Sequence, residues 1–371
     1  MRLRLSLLAV LAVLTTGVGC GSTEKAQPVS AEAPSTDSSA EESTTSAAPI
    51  AAAWPLTAIG VTDPAVLDHP AVSVKIDNHP RARPQTGLNQ ADIVYEIRVE
   101  GYTRFAAVYH SELPGSVGPV RSARTSDIDV VGNLGTPIFA WSGGNGTVTG
   151  QVQAAADAGR ITNANFDVDQ SDYHRDSKPN GQAAPHNLYV DVPSLLRLGK
   201  PGAVPGAIFD YRPADEALPP GAVPVAGVSL NFSVPGMAVD YAWDPEARGW
   251  ARFQTDERHG RAKSAFVDSA GIQVAPTNLV VLFTEYRVAA ADYHSPEAIS
   301  VGSGDGMVFL DGAMVPIRWS REAPEYKWRL TTPDGTPVKL NAGRTWVALP
   351  EPGANATVMA PESAADLLAT R

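Results

Sequence analysis

Charged residues in two neighbouring segments are the first candidates for chemistry. Ile93–Glu100 and Arg104–His110 both alternate as strands do, and the short stretch between them predicts a hairpin. The alternation predicts one polar face with these members: Glu96, Arg98, Glu100 and Arg104. Such a face is either a solvated surface with cross-strand ion pairs or a cleft wall on which arginine keeps a carboxylate pair ionised. In the second interpretation, Glu96 or Glu100 serves as an acid/base.

Apolar residues predict the register of this hairpin. A two-residue loop would pair the apolar Val99 with Arg104. A three-residue loop instead pairs Val99 with Phe105 and sets Glu100 opposite Arg104. Because register follows the hydrophobic pattern, we predict the second arrangement.

The segment Gly118–Arg124 is a second candidate site. Ser122 is suited to be the N-cap of a short helix that Gly132 ends. Free backbone amides at that helix end, beside Arg121 and Arg124, predict a site for phosphate, sulfate or carboxylate. The alternative is an ordinary cap with two surface arginines.

His186 is a third candidate, next to Asn187. Its imidazole could be a general base, or a metal ligand together with His79 or His174. A structural histidine bonded to backbone is the more common case. The sequence has no His-Glu-x-x-His, no nucleophile elbow and no P-loop or dinucleotide fingerprint. It therefore predicts neither a bound metal nor a cofactor.

The elements that must position these side chains change character along the chain. Ala71–Asp77 and Phe139–Trp141 predict strands, and a glycine loop joins the latter to a predicted helix over Thr147–Ala158. The Pro- and Gly-rich stretch Pro213–Gly227 predicts a domain boundary. We expect an α+β fold, with a mixed α/β N-terminal domain over residues 54–215 and a mainly antiparallel β domain over residues 226–371.

The second half consists almost wholly of predicted strands. Asp311-Gly312 and Pro333-Asp334-Gly335 predict hairpin turns between or beside them. The predicted strands are Val228–Val234, Ala238–Trp243, Trp250–Gln254, Asn278–Val288, Met307–Leu310, Met314–Trp319 and Thr345–Leu349.

The start of the chain predicts export and lipidation. Residues 1–19 combine early arginines with a short apolar run, which is typical of a secretory signal peptide. Cys20, the only cysteine, stands where a lipid-modified cysteine is needed, so we expect palmitate-type acylation and anchoring outside a bacterial cell membrane. Residues 20–53 predict a disordered stalk, because they hold too little apolar surface to fold.

Net charge excludes one class of partner. The formal charge is −11, and removal of Arg2 and Arg4 with the signal peptide changes it to −13. A nucleic-acid partner would require a basic face, which this composition does not provide. The sequence therefore predicts no nucleic-acid partner, and the lipid anchor makes the membrane an expected one.

Long motifs in order along the chain resemble the YerB-like lipoprotein family of the cell envelope. They include Val74–Asn78, Arg83–Leu88, Ala91–Glu96, Gly118–Arg124 and Ala184–Tyr189 in the first half, and Gly302–Gly304, Gly306–Val308 and Leu340–Trp346 in the second. The resemblance implies the two domains above and no defined activity. It also implies one site in the first domain, formed by polar motif residues: Asp77, Asn78, Arg83, Gln85, Glu96, Glu100, Arg104, Arg121, Arg124, His186 and Asn187.

Two hypotheses about function follow. In the first, the chain is a non-enzymatic envelope protein that binds an anionic wall ligand or an envelope partner through Arg104, Arg121 and Arg124. In the second, it is a wall hydrolase or transferase in which Glu96 or Glu100 is the acid/base and His186 assists. Two carboxylates about 5–9.5 Å apart across an open cleft would favour the second hypothesis. Carboxylates saturated by arginines would favour the first.

Overall fold

Strands and short helices alternate through the first half of the protein. The computed structural model describes residues 52–178, 181, 183–257, 260–353 and 356–371. The elements of the first half are β1 (Val72–Asp77), β2 (Ile93–Arg98), β3 (Thr103–Tyr109), α1 (Thr125–Val130), β4 (Ile138–Trp141), α2 (Gly146–Asp157), β5 (Thr162–Asn165), β6 (Tyr173–Arg175), β7 (Leu188–Val190) and α3 (Val192–Leu195). Single 3₁₀ turns lie at Pro64–Leu67, Pro80–Ala82, Leu88–Gln90 and Leu196–Leu198.

Strands dominate the second half, as the sequence predicts. Its elements are β8 (Val223–Pro224), β9 (Gly227–Leu230), β10 (Met237–Asp244), β11 (Gly249–Asp256), β12 (Arg261–Ala265), β13 (Asn278–Leu282), β14 (Tyr286–Ala289), β15 (Asp292–Ala298), β16 (Gly302–Leu310), β17 (Ala313–Arg321), β18 (Arg329–Thr331), β19 (Thr345–Leu349), β20 (Ala356–Val358) and α4 (Pro361–Leu368). Asn278–Val288, predicted as one strand, is divided between β13 and β14. Asp311-Gly312 forms the predicted turn between β16 and β17, with both residues at positive φ.

One large mixed sheet runs through both halves. Its strand order is β18-β17-β16-β13-β19-β2-β3-β1-β4-β5, with β8 beside β17. Strand β19 joins the halves, because it pairs in parallel with both β13 and β2. A second, antiparallel sheet has the order β12-β11-β10-β9-β20. The protein is therefore α+β, and its described residues belong to one compact unit.

The strands at the centre of the large sheet are covered on both faces. On one face, Tyr95 packs in a cluster with Ile128 of α1 and Val152 of α2. On the other, Phe105 packs in a cluster with Tyr241 of the second sheet. The order of layers is thus helices, large sheet, second sheet. This arrangement buries β1 and β2 along nearly their whole length.

The predicted register of the β2–β3 hairpin is wrong. Arg98 pairs with Thr103 and Glu96 with Phe105, so the loop is longer than predicted. The hydrophobic pattern could not select the register, because both faces of the sheet are buried and an apolar side chain is satisfied on either one. The predicted common face of Glu96 and Arg104 is also wrong. Arg104 pairs with Ile97 and with Asp77 of β1, on the face opposite Glu96.

The start of the chain lies outside this description. The predicted signal peptide (residues 1–19), Cys20 and nearly all of the predicted stalk (residues 20–53) are not among the described residues. Within the part of the chain that the structure describes, no helix combines the length and apolarity needed to cross a bilayer.

Candidate functional site

Asp77, the last residue of β1, is the centre of a polar cluster at the rim of the large sheet. Its carboxylate is 2.8 Å from His186 Nδ1 and 3.1 Å from Arg121 Nε. It also accepts a hydrogen bond of 3.0 Å from the backbone N–H of His79. His79 and His186 stack with ring centroids 4.5 Å apart. The end of one strand, the turn after it and a distant loop therefore meet at a single carboxylate.

Two further arginines and Glu100 complete this cluster. Arg124 holds the Glu100 carboxylate with two hydrogen bonds of 2.8 and 2.7 Å. Arg104 is attracted by the Asp77 and Glu100 carboxylates and donates to the Ser122 carbonyl at 3.1 Å. We call this group the rim cluster, and its members are Asp77, His79, Glu100, Arg104, Arg121, Arg124 and His186.

The charges of the rim cluster keep its carboxylates ionised. Burial alone would raise the pKa of Asp77. The hydrogen bond with His186 and the charges of Arg104 and Arg121 outweigh burial and lower the pKa to about 2. At Glu100, burial is likewise outweighed by the hydrogen bonds from Arg124 and Ser295, which lower the pKa to about 2. Both carboxylates are therefore acceptors at neutral pH and poor proton donors.

A second polar cluster occupies the opposite face of the same strands. Glu96 Oε1 accepts hydrogen bonds of 2.9 Å from Arg252 and 2.8 Å from Thr103, and Oε2 accepts one of 3.0 Å from the indole of Trp346. The side chains of Glu96 and Arg252 are both 0% exposed. Arg252 also lies 4.0 Å from the ring centroid of Phe266.

Asn78 extends this second cluster towards the turn after β1. Its amide donates to Thr103 Oγ1 at 2.8 Å, and its carbonyl oxygen accepts from Arg83 at 3.0 Å. Gln85 donates to the Asp77 carbonyl oxygen at 2.9 Å and thereby fixes the turn. We call this group the enclosed cluster, and its members are Asn78, Arg83, Gln85, Glu96, Thr103, Arg252, Gln254 and Trp346.

The helix end predicted as an anion site is already occupied. Arg124, not Ser122, is the N-cap of α1, and its backbone amide donates to Asp127 Oδ2 at 2.7 Å. The Asp127 carboxylate also pairs with Lys75 at 2.6 Å, with both side chains fully buried. The N-cap prediction is wrong because the helix begins at Thr125, three residues after Ser122, where Asp127 at the third helical position bonds back to the N-cap amide.

Most of the predicted site residues belong to one of the two clusters, and Asn187 is an exception. Asn187 follows His186, but its side chain accepts from Arg175 at 3.0 Å and donates to Ser177 at 3.2 Å. Sequence reasoning missed Arg252 and Trp346 as partners of Glu96, because 156 and 250 residues separate them from it. In the described ranges, no group of three His, Cys, Asp or Glu side chains is arranged to hold a metal ion.

Comparisons with known proteins agree on one family. A model described as "Protein of unknown function (DUF3048) N-terminal domain" matches residues 56–201, and the model of its C-terminal domain matches residues 228–347. Over 313 residues, the chain is 26% identical to "Putative lipoprotein YerB" of Bacillus subtilis (strain 168), which covers 79% of this chain and 84% of that protein. The chain belongs to the YerB-like lipoprotein family.

A solved YerB-like structure shares the fold. The crystal structure of YerB protein from Bacillus subtilis superposes with a TM-score of 0.66 at 23% identity, over 82% of this chain and 99% of that one. In the YerB-like chain described here, the rim cluster lies wholly within the N-terminal match. The enclosed cluster connects the two matched segments, because Arg252 and Trp346 belong to the C-terminal one.

Proposed function

We propose that this YerB-like protein is an exported, membrane-anchored lipoprotein, attached through Cys20, that binds an anionic ligand at the rim cluster. The name of the Bacillus relative and the sequence of residues 1–20 support the anchor. The ligand is an anionic group of a cell-wall polymer, or an acidic surface of an envelope partner.

The position of Arg104 carries the proposal. Its guanidinium has no carboxylate oxygen within 4.0 Å among the described residues, whereas Arg121 and Arg124 each have one. Three arginines face two carboxylates in the rim cluster, so the cluster has a surplus of positive charge. Burial, followed by the charge of Arg124, lowers the pKa of Arg104, as expected for a cation among cations. A bound anion would relieve that repulsion.

The rim cluster is also accessible. The side chains of Arg121 and Glu100 are 26% and 30% exposed, in contrast to the fully buried pair of the enclosed cluster. An arginine near solvent with spare donors is the side chain best suited to bind a carboxylate or phosphate in a bidentate manner.

One observation favours the alternative, a wall hydrolase or transferase. The Asp77–His186 hydrogen bond of 2.8 Å resembles the contact by which a carboxylate orients a catalytic histidine. The predicted acid/base carboxylates do not share this feature. Glu96 is enclosed in the core, and Glu100 is saturated by Arg124 and Ser295.

Wall-binding measurements on residues 21–371 test the proposal. We expect saturable binding to purified wall carrying its anionic polymer, and affinity about tenfold lower in Arg104→Gln, because one charge-assisted hydrogen bond is worth about 1.5–3 kcal/mol. Arg318→Gln is the matched control, since Arg318 is 60% exposed in a surface pair with Asp305.

Two outcomes would contradict the proposal. If Arg104→Gln bound the wall as tightly as wild type does, the proposed anion site at Arg104 would be wrong. Mass spectrometry of the incubated wall that shows a released fragment, absent with His186→Gln, would make the protein an enzyme.

A further inference from the structure

A cleft of about 390 Å³ opens beside Glu100, between the β14–β15 hairpin and the loop Ser233–Pro235. Its volume lies within the range of about 300–1,000 Å³ that small-ligand sites occupy. Glu100 is common to the cleft and the rim cluster, because its carboxylate binds Arg124 on one side and lines the cleft on the other. A ligand at the rim cluster would therefore lie next to this cleft.

The lining of the cleft is amphipathic. Pro235 and Val288 supply apolar surface, and Val288 is largely exposed. Tyr293 is 78% exposed, and its ring lies against His294 with centroids 3.8 Å apart. Beside a cleft, such a ring offers a flat apolar face on which a ligand can pack.

The polar groups of the cleft include both donors and acceptors. Arg98 and Arg287 are donors that line it, and the Ser233 hydroxyl can both donate and accept. Each charge is already balanced, since Arg98 pairs with Glu351 at 2.7 Å and Arg287 with Glu297 at 2.9 Å. Such a lining favours a neutral ligand that has several hydroxyl or amide groups.

We propose that this cleft binds an N-acetylated sugar ring of a glycan. A pyranose ring presents apolar C–H faces, which pack on an aromatic ring such as Tyr293, and a rim of hydroxyls that both donate and accept hydrogen bonds. The methyl of an acetamido group suits the apolar lining that Pro235 and Val288 provide. The inference rests on the proposed function in one respect, since an anionic glycopolymer would place its charge on the rim cluster and its sugar in the cleft.

Separate probes for the two subsites distinguish the two proposals. Isothermal titration of residues 21–371 would use chitotetraose, a neutral N-acetylglucosamine tetramer, for the cleft and inorganic pyrophosphate for the rim cluster. We expect Tyr293→Ala to weaken chitotetraose binding about tenfold, equivalent to about 1.4 kcal/mol, and to leave pyrophosphate binding unchanged. We expect Arg104→Gln to weaken pyrophosphate binding and to leave chitotetraose binding unchanged.

A matched variant guards against a general effect of removing an exposed ring. Tyr326 is 53% exposed and lies outside the cleft, so Tyr326→Ala should bind both probes as wild type does. Tyr293 is exposed enough that its loss should not disturb folding, which the unfolding midpoint checks.

The possible outcomes distinguish the sugar site from the anion site. Chitotetraose that fails to bind at millimolar concentration, or binds equally to Tyr293→Ala, overturns the sugar site. Tyr293-dependent binding of a wall stem peptide in place of chitotetraose overturns it as well. Chitotetraose binding without pyrophosphate binding supports the sugar site and removes the anion site of the proposed function.

Discussion

The rim cluster and the enclosed cluster both pair carboxylates with arginines, and they lie on opposite faces of the large sheet. Asp77 and Asn78 are neighbours in sequence, yet each belongs to a different cluster. In the enclosed cluster, Glu96 and Arg252 are fully buried and hydrogen-bonded to each other. In the rim cluster, Asp77 is buried but its partner Arg121 reaches solvent.

The difference shows that burial of the partner, and not residue type, separates a structural ion pair from a candidate site. A desolvated pair is held in one arrangement, because either charge left alone in the core is costly. A pair at the surface can exchange one protein contact for a ligand contact at little cost. The enclosed cluster also joins residues 56–201 to residues 228–347, whereas the rim cluster belongs to the first segment alone.

The largest expected effect is on the enclosed cluster. Glu96→Gln leaves the Arg252 guanidinium buried without its counter-charge, so we expect the free energy of unfolding to fall by about 3–5 kcal/mol. Urea unfolding of residues 21–371 measures this loss. Because the cluster connects both halves, the remaining transition should stay single.

A control and a contrary result are available for this variant. Glu297→Gln removes the carboxylate of a pair whose arginine, Arg287, is 66% exposed, and should change the unfolding free energy by less than about 1 kcal/mol. If Glu96→Gln were equally mild, the buried Glu96–Arg252 pair would contribute no more than an exposed pair, and the comparison between the clusters would fail.

A smaller effect is expected from Asp77, through pH. Its folded pKa of about 2 is below the usual value of 3.8, so ionised Asp77 stabilises the fold above about pH 4. That contribution, on the order of 2 kcal/mol, is lost as pH falls through about 2. Asp77→Asn should therefore be less stable than wild type at pH 7, and the gap should close between about pH 4 and pH 2.

Urea midpoints at a series of pH values measure that gap. Subtracting the variant from wild type isolates Asp77 from Glu100, which titrates in the same window. Asp305→Asn is the matched control, because Asp305 is 74% exposed and should give a small, flat difference. A gap for Asp77→Asn that stayed constant with pH would show that its ionisation does not stabilise the rim cluster.

Much of the fold could be predicted from alternation and turn residues, and less of the clusters. Strands β1 and β2 and the turn at Asp311-Gly312 follow from local sequence. The register of the β2–β3 hairpin does not follow from local sequence, because the sheet is covered on both faces. β15 escaped prediction, because its sequence is largely polar and contains Pro296.

Local sequence could indicate which polar residues matter, but not how they pair. The family resemblance implies that Asp77, Arg121 and His186 belong to one site, and the structure brings these three together from separate segments. Their separation from Glu96 follows from strand alternation once the register is known. Arg252 carried no local signal, because its importance comes from burial beside a carboxylate far away in sequence.

Arg121→Gln should have the smallest effect on stability and still affect binding. Its ion pair with Asp77 spans 3.1 Å, but the Arg121 side chain is 26% exposed, so we expect a loss below about 1 kcal/mol in urea unfolding. Binding to wall carrying anionic polymer should weaken about tenfold, because the variant loses one of the cations that would face the anion. Arg248→Gln, which removes an arginine 77% exposed beside Asp311, is the control for nonspecific charge. A variant with reduced stability and unchanged binding would show that Arg121 stabilises the fold, as the residues of the enclosed cluster do, and does not bind the ligand.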